Sequence, residues 1–345
     1  MPEETGKFKS FIEQHKEKVY SRICDFLPQG EPKFFNEKVM RVYVDRKGQY
    51  RRPAYVMLWN LLYGGTPNDA ILPAAVQQVS EDWILMHDDI LDGNQVRRKL
   101  PAAHVLYGEN YAMLGGDALQ TVMWRMVNEA VTALGSSGQA YFDKVYDIMI
   151  KTSIGQYMDV RLTEETKDIT KFTKEEYYES IHAKAAYYSV YGPMQCGAII
   201  AGAKPEIIER IPEYGIAAGK AFQIKDDILD CTSTQEKLGK SIGNDVLEGA
   251  KTLILWHAVS NAEPKTLKKL RGIYSKARKD KTSDDVMFVL NAFNDLGSIE
   301  YAQSEATKLA DTASIKFDKL TKNIPESAIK ETAREAIGYV AVRSV

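Results

Sequence analysis

Residues 68–92 read NDAILPAAVQQVSEDWILMHDDILD. Apolar side chains recur at Ile71, Ala75, Val79, Trp83, Met86 and Ile90, steps of three and four that trace one stripe of an α-helix. Asn68 suits its N-cap and Gly93 its stop. The stripe ends in Asp88-Asp89-Ile90-Leu91-Asp92, with its carboxylates at the helix end where the dipole disfavours negative charge. The same turn recurs, spacers included, as Asp226-Asp227-Ile228-Leu229-Asp230. In each, the first and last Asp are four apart and share one face. A single acidic helix end is commonly just solvated. Two identical ones, each following an apolar run (Trp83-Ile84-Leu85-Met86 and Ala221-Phe222-Gln223-Ile224), need a counter-charge. Hard oxygen ligands of this kind suit Mg²⁺, which keeps several waters and takes its remaining ligands from substrate phosphates.

Working outward, helical patterns cover 117–133, 141–163, 174–201, 212–231, 252–261, 283–296 and 298–320. Turn residues separate them, as in Gly64-Gly65-Thr66-Pro67 and Gly135-Ser136-Ser137-Gly138. No βαβ rhythm, linker or low-complexity stretch divides the chain. The expectation is one all-α domain over residues 8–345, an antiparallel helical bundle, with residues 1–7 as a flexible N-terminus. The 345 residues carry 45 Lys and Arg against 47 Asp and Glu, a net charge of −2, which argues against a nucleic-acid binder held by phosphate contacts. Three scattered cysteines form neither a disulfide framework nor a zinc motif. No signal peptide or membrane span is visible, so a cytoplasmic location is expected. The cationic stretch 265–281 has Leu267, Leu270 and Ile273 beneath its charges and reads as a solvated helix.

Cations follow or flank the acidic turns. Arg97 and Arg98 come next after the first, where guanidinium groups can grip phosphate oxygens in pairs. Lys184, Lys240 and Lys251 lie in or beside polar segments. Singly each is a surface charge; with two Mg²⁺-type clusters they read as a diphosphate site. His87, beside Asp88, reads as a packed residue rather than a ligand.

At these residues the chain resembles the trans-isoprenyl diphosphate synthases, the head-to-tail prenyltransferases. Further shared elements are Gly155-Gln156 with Asp159, Phe222-Gln223 leading into the second acidic turn, and Gly239-Lys240-Ser241-Ile242-Gly243-Asn244-Asp245. The resemblance implies a helical bundle of isoprenoid synthase type with a central apolar cavity, and a homodimer. It implies two or three Mg²⁺ ions held by Asp88, Asp89, Asp92, Asp226, Asp227 and Asp230. These would grip the diphosphate of an allylic substrate, with Arg97, Lys184, Lys240 and Lys251 neutralising it and Gln223 orienting it. Arg52 and Arg98 would hold isopentenyl diphosphate.

The chain departs from the family pattern at three positions. Gln49 stands where a phosphate-binding Lys is usual, Glu81 where His or Gln is usual, and Ala185 where Thr usually follows the motif lysine. Gln49 and Glu81 fall in the site implied for isopentenyl diphosphate. Product length in the family depends on residues about a turn before the first motif, here Trp83 and Ile84. An aromatic residue only at the fifth position before the motif resembles the geranylgeranyl (C20) synthases of archaeal type. The alternatives are a farnesyl diphosphate synthase, a terpene cyclase acting on one allylic diphosphate, and a non-catalytic synthase subunit.

Overall fold

The computed structural model describes residues 6–165, 168–232 and 243–341. Its helices are α1 (Lys7–Cys24), α2 (Val42–Asp45), α3 (Arg51–Leu62), α4 (Pro67–Leu91), α5 (Ala103–Tyr107), α6 (Glu109–Leu134), α7 (Gly138–Glu165), α8 (Lys174–Ile181) and α9 (Gly192–Ile200). They continue as α10 (Pro205–Ile208), α11 (Ile211–Thr232), α12 (Asn244–Glu248), α13 (Leu253–Asn261), α14 (Pro264–Tyr274), α15 (Ser283–Asp295), α16 (Ser298–Leu320) and α17 (Ala328–Ala341). Among the described residues the only sheet is a two-stranded hairpin, Val96–Arg97 against Leu100–Pro101. The all-α reading therefore holds. Among the described residues, no helix is long and apolar enough to cross a membrane.

Local chemistry sets the helix boundaries. α4 starts two residues earlier than the sequence reading: Thr66, not Asn68, is the N-cap, in a capping box with Asp69, and Pro67 takes the first turn where its missing N–H costs nothing. The stretch read as one α-helix over 174–201 is three pieces. α8 ends at Ile181, a π-helical segment spans His182–Tyr191, and α9 follows. Pro193 has no N–H with which to close an α-turn onto Ser189, which weakens the α-register at this point.

The chain divides into two compact units, Met1–Asp147 with Ser189–Ile211 and Lys319–Ala336, and Ile148–Tyr188 with Pro212–Asp318 and Ile337–Val345. In the first unit α4 packs on α6, α3 and α1, and α3 packs on α9. Two adjacent glycines explain how the acidic end of α4 reaches α6. A Cβ on Gly115 would lie 2.8 Å from Met86 Cε, and one on Gly116 would strike the His87 ring. In the second unit Ile224 and Ile228 of α11 join Tyr177 and Ile181 of α8, Leu253–Leu255 of α13 and Phe293 of α15 in a buried core. That core fixes the inner face of the helix carrying the second acidic turn.

Gly197 on α9 marks the closest approach of α9 to α3, since a Cβ there would meet the Val56 carbonyl and the Asn60 amide nitrogen. Backbone atoms cannot swing aside as a side chain would. Gly197→Ala is expected to cost about 1–3 kcal/mol of stability, read as a lower denaturant midpoint.

Candidate active site

In the first unit, Asp88 and Asp89 occupy the last turn of α4 and Asp92 caps its C-terminus, the Asp92 N–H donating to the Asp88 carbonyl at 2.8 Å. Asp88 and Asp92 are partly exposed, whereas Asp89 is fully buried. Arg97 Nε donates to both Asp89 oxygens at 2.9 and 3.1 Å, with its Nη2 adding a further bond, and the Tyr43 hydroxyl donates to Oδ2. The same hydroxyl accepts the Ala103 N–H at 2.9 Å. Burial, reinforced by the Asp89 carboxylate, raises the Tyr43 phenol far above its usual range, so it stays a donor. Among the described residues, Asp89 is thus satisfied from within.

The two-residue turn of the hairpin presents Arg98 and Lys99, both at positive φ. Such a turn usually takes Asn or Gly, so the conformation costs free energy that neighbouring contacts must offset. Arg98 supplies them, bonding the Tyr43 carbonyl and, at 2.7 Å, Asp82 Oδ1. Gln78 Nε2 donates to the same Asp82 oxygen at 3.1 Å. Arg52, on α3, lies 2.9 Å from Glu81 Oε1 and donates to Ser189 Oγ at 2.7 Å. Burial pushes the Glu81 carboxyl up, but Arg52, Arg98 and Arg51 more than offset this and hold it below its ordinary value. Gln49 is exposed, and Lys47 turns to Glu17 at 2.7 Å. His87 Nε2 lies 3.1 Å from the Met113 carbonyl and 3.5 Å from Asp117 Oδ1.

The second unit repeats the arrangement. Asp226 is partly exposed on α11, and Asp227 is buried. Tyr177 Oη and Gln223 Nε2 each donate to Asp227, both at 2.8 Å. Burial nevertheless pushes the Asp227 carboxyl up to about 7, the charges of Asp226 and Asp230 adding to the push. Asp230 is buried and accepts the Asp245 N–H at 3.0 Å, tying α11 to the first turn of α12. Lys184, within the π-helical segment, donates to Asp159 at 2.7 Å. Gly155 permits this approach, because a Cβ there would come within 2.6 Å of the Lys184 backbone nitrogen. Lys251 is buried and bonds the Gly249 carbonyl at 2.9 Å; burial pushes its ammonium down to about 8, opposed by Asp159. Lys240 lies outside the described residues.

Among the described residues, no three His, Cys, Asp or Glu side chains converge closely enough to hold an ion unaided. The carboxylates nevertheless fit Mg²⁺. They are hard oxygen donors, Asp88 and Asp92 are spaced along one helix face, and such a site is completed by water and phosphate oxygens. Trp83 and Ile84 are half-buried on α4, and the Trp83 ring meets His87 edge-on at 5.6 Å. Tyr43, Tyr177 and Asp82 escaped sequence reasoning. Tyr43 is 46 residues from Asp89 and Tyr177 is 50 from Asp227, with no local motif to announce either.

Comparison with known proteins agrees with this geometry. The family described as polyprenyl synthetase matches residues 35–292. A short chain isoprenyl diphosphate synthase of Methanothermobacter thermautotrophicus is 31% identical over 96% of this chain and 95% of its own length. A geranylgeranyl diphosphate synthase of Methanosarcina mazei is 32% identical over 92% of this chain and 93% of its own. The geranylgeranyl pyrophosphate synthetase structure from Pyrococcus horikoshii superposes with a TM-score of 0.83 at 28% identity, covering 98% of this chain and all of that one. The chain belongs to the polyprenyl synthetase family.

Burial raises the Asp82 carboxyl from 3.8 to about 6 against the pull of Arg98. Its contribution to stability is therefore complete below 3.8 and is lost as pH rises through about 6. Across that window the chain should lose about 3 kcal/mol from this group, and Asp82→Asn should flatten the slope. Denaturant midpoints measured on either side of the window check this.

Proposed function

We propose that this chain is a Mg²⁺-dependent trans-prenyltransferase that joins isopentenyl diphosphate head-to-tail to an allylic diphosphate, giving geranylgeranyl diphosphate (C20). The observation that carries the reading is the repeated acidic turn, in which a buried inner Asp is tied to a tyrosine and a second donor while the preceding Asp faces outward. Asp88 and Asp92 on one turn, with Asp226 and Asp230 on the other, would hold two or three ions; Asp89 and Asp227 fix the turns from inside. When bound, Mg²⁺ supplies positive charge to the leaving diphosphate. Lys184, Lys240 and Lys251 add further positive charge there, and Arg97 acts through its grip on Asp89. Gln223 orients Asp227. The allylic C–O bond breaks with its electron pair on the diphosphate, the isopentenyl double bond attacks the allylic carbon, and a proton leaves to the released diphosphate. Arg52 and Arg98 would hold isopentenyl diphosphate. Trp83, with an aliphatic Ile84 after it, supports a C20 limit, as do relatives named geranylgeranyl diphosphate synthases.

A second copy of the chain is the proposed partner. Val105, Leu106, Tyr111, Met113 and Leu114 of α5 and α6 are exposed, which is costly for a lone chain and fits burial in a homodimer. A cytoplasmic enzyme is the matching location.

The test supplies Mg²⁺, isopentenyl diphosphate and farnesyl diphosphate. Release of diphosphate with a C20 prenyl diphosphate is expected. Turnover of the allylic substrate alone would mean a cyclase, and silence in every combination a non-catalytic subunit. Asp88→Ala should lower turnover by about a hundredfold or more, and Trp83→Ala should lengthen the products.

A further inference from the structure

We propose that Glu81 is a specificity-determining residue of the acceptor site, an internal carboxylate that competes with isopentenyl diphosphate for Arg52. The inference rests on the function proposed above, which assigns Arg52 and Arg98 to that substrate. In this chain both guanidinium groups are already bonded to its own carboxylates. Arg52 pairs with Glu81 at 2.9 Å and Arg98 with Asp82 at 2.7 Å. Ser189 Oγ and the Tyr43 carbonyl hold the second nitrogen of each. All four charged side chains are largely shielded from solvent.

The net charge of this cluster is small. Arg51, Arg52 and Arg98 act on Glu81, and Asp82 lies beside it, so three positive groups meet two negative ones and leave a single positive charge. Gln49 adds no charge and is exposed, and Lys47 is drawn to Glu17. A diphosphate ester carries more than one negative charge, and at this site it meets two shielded carboxylates that repel it. Arg52 also keeps Glu81 ionised, so the carboxylate does not step aside by taking a proton. Binding therefore requires the Arg52–Glu81 pair to open, and the work of opening it is subtracted from affinity for this substrate alone. The cluster also keeps polar groups in reserve. The Tyr50 hydroxyl and Asp82 Oδ2 are buried with no hydrogen-bond partner among the described residues, and Tyr50 feels the charges of Asp82, Arg98 and Glu81. Tyr50 itself sits at φ +54, a conformation held against its own preference.

The experiment measures isopentenyl diphosphate binding by calorimetry, without turnover, and steady-state kinetics in parallel. Glu81→Gln should tighten binding and lower the KM for isopentenyl diphosphate by about tenfold, the effect of freeing one charge-assisted hydrogen bond. The KM for the allylic diphosphate should stay where it is. Glu81→Asp should behave like the parent, and Glu81→Gln/Arg52→Gln should lose the gain. Glu81→His serves the same purpose should the Gln variant not fold, with tighter binding again expected. Folded neutral variants that bind isopentenyl diphosphate no better than the parent, or not at all, would overturn the inference. A parent enzyme that binds isopentenyl diphosphate yet never elongates an allylic primer would instead overturn the proposed function.

Discussion

Each acidic turn depends on burying a carboxylate at the C-terminal end of a helix. Water cannot solvate it there, and the helix dipole opposes its charge. The two units meet this cost in parallel ways. Asp89 takes a guanidinium and a phenol, Asp227 an amide and a phenol. The difference in partner matters. Asp89 is paired with a cation, whereas among the described residues the hydrogen bonds to Asp227 come from neutral donors, and burial drives its carboxyl up to about 7. These bonds tie the inner group down, while Asp88 and Asp226 stay partly exposed beside it. This is how a bundle can carry concentrated negative charge before any cation arrives.

Most of the helical architecture was legible in periodicity, because long amphipathic stripes such as residues 68–92 leave little choice of structure. The acidic turns were legible because a repeated five-residue pattern is rare by chance. Their supports were not. Tyr43 and Tyr177 come from distant elements, and neither a tyrosine between two valines nor one among glutamates announces that its hydroxyl will reach a carboxylate. The π-helical segment carrying Lys184 was also hidden, since apolar spacing across 182–191 resembles that of an ordinary α-helix. Pro193 was a partial signal of that break, since Pro73 sits inside α4 without interrupting it. The N-cap of α4 was misplaced by two residues for a similar reason: Asn68 is a good cap in isolation, but the reciprocal Thr66–Asp69 pair and Pro67 settle the matter together.

The departures from the family pattern gain meaning only in three dimensions. In the sequence, Glu81 is an added negative charge. In the structure it is half of an ion pair with Arg52, beside a second pair formed by Asp82 and Arg98. The hairpin turn holds Arg98 in a conformation that a non-glycine residue adopts only when its contacts are good. Charge on this side of the first unit is therefore largely balanced by the protein's own side chains.

The most direct test of the account is titration of Mg²⁺ into the protein with and without inorganic diphosphate, followed by calorimetry. Carboxylates that supply only part of an ion's coordination should bind Mg²⁺ weakly alone and much more tightly with diphosphate present, and Asp88→Ala should erase that coupling. Mg²⁺ binding indifferent to diphosphate, or coupling untouched by loss of Asp88, would contradict it.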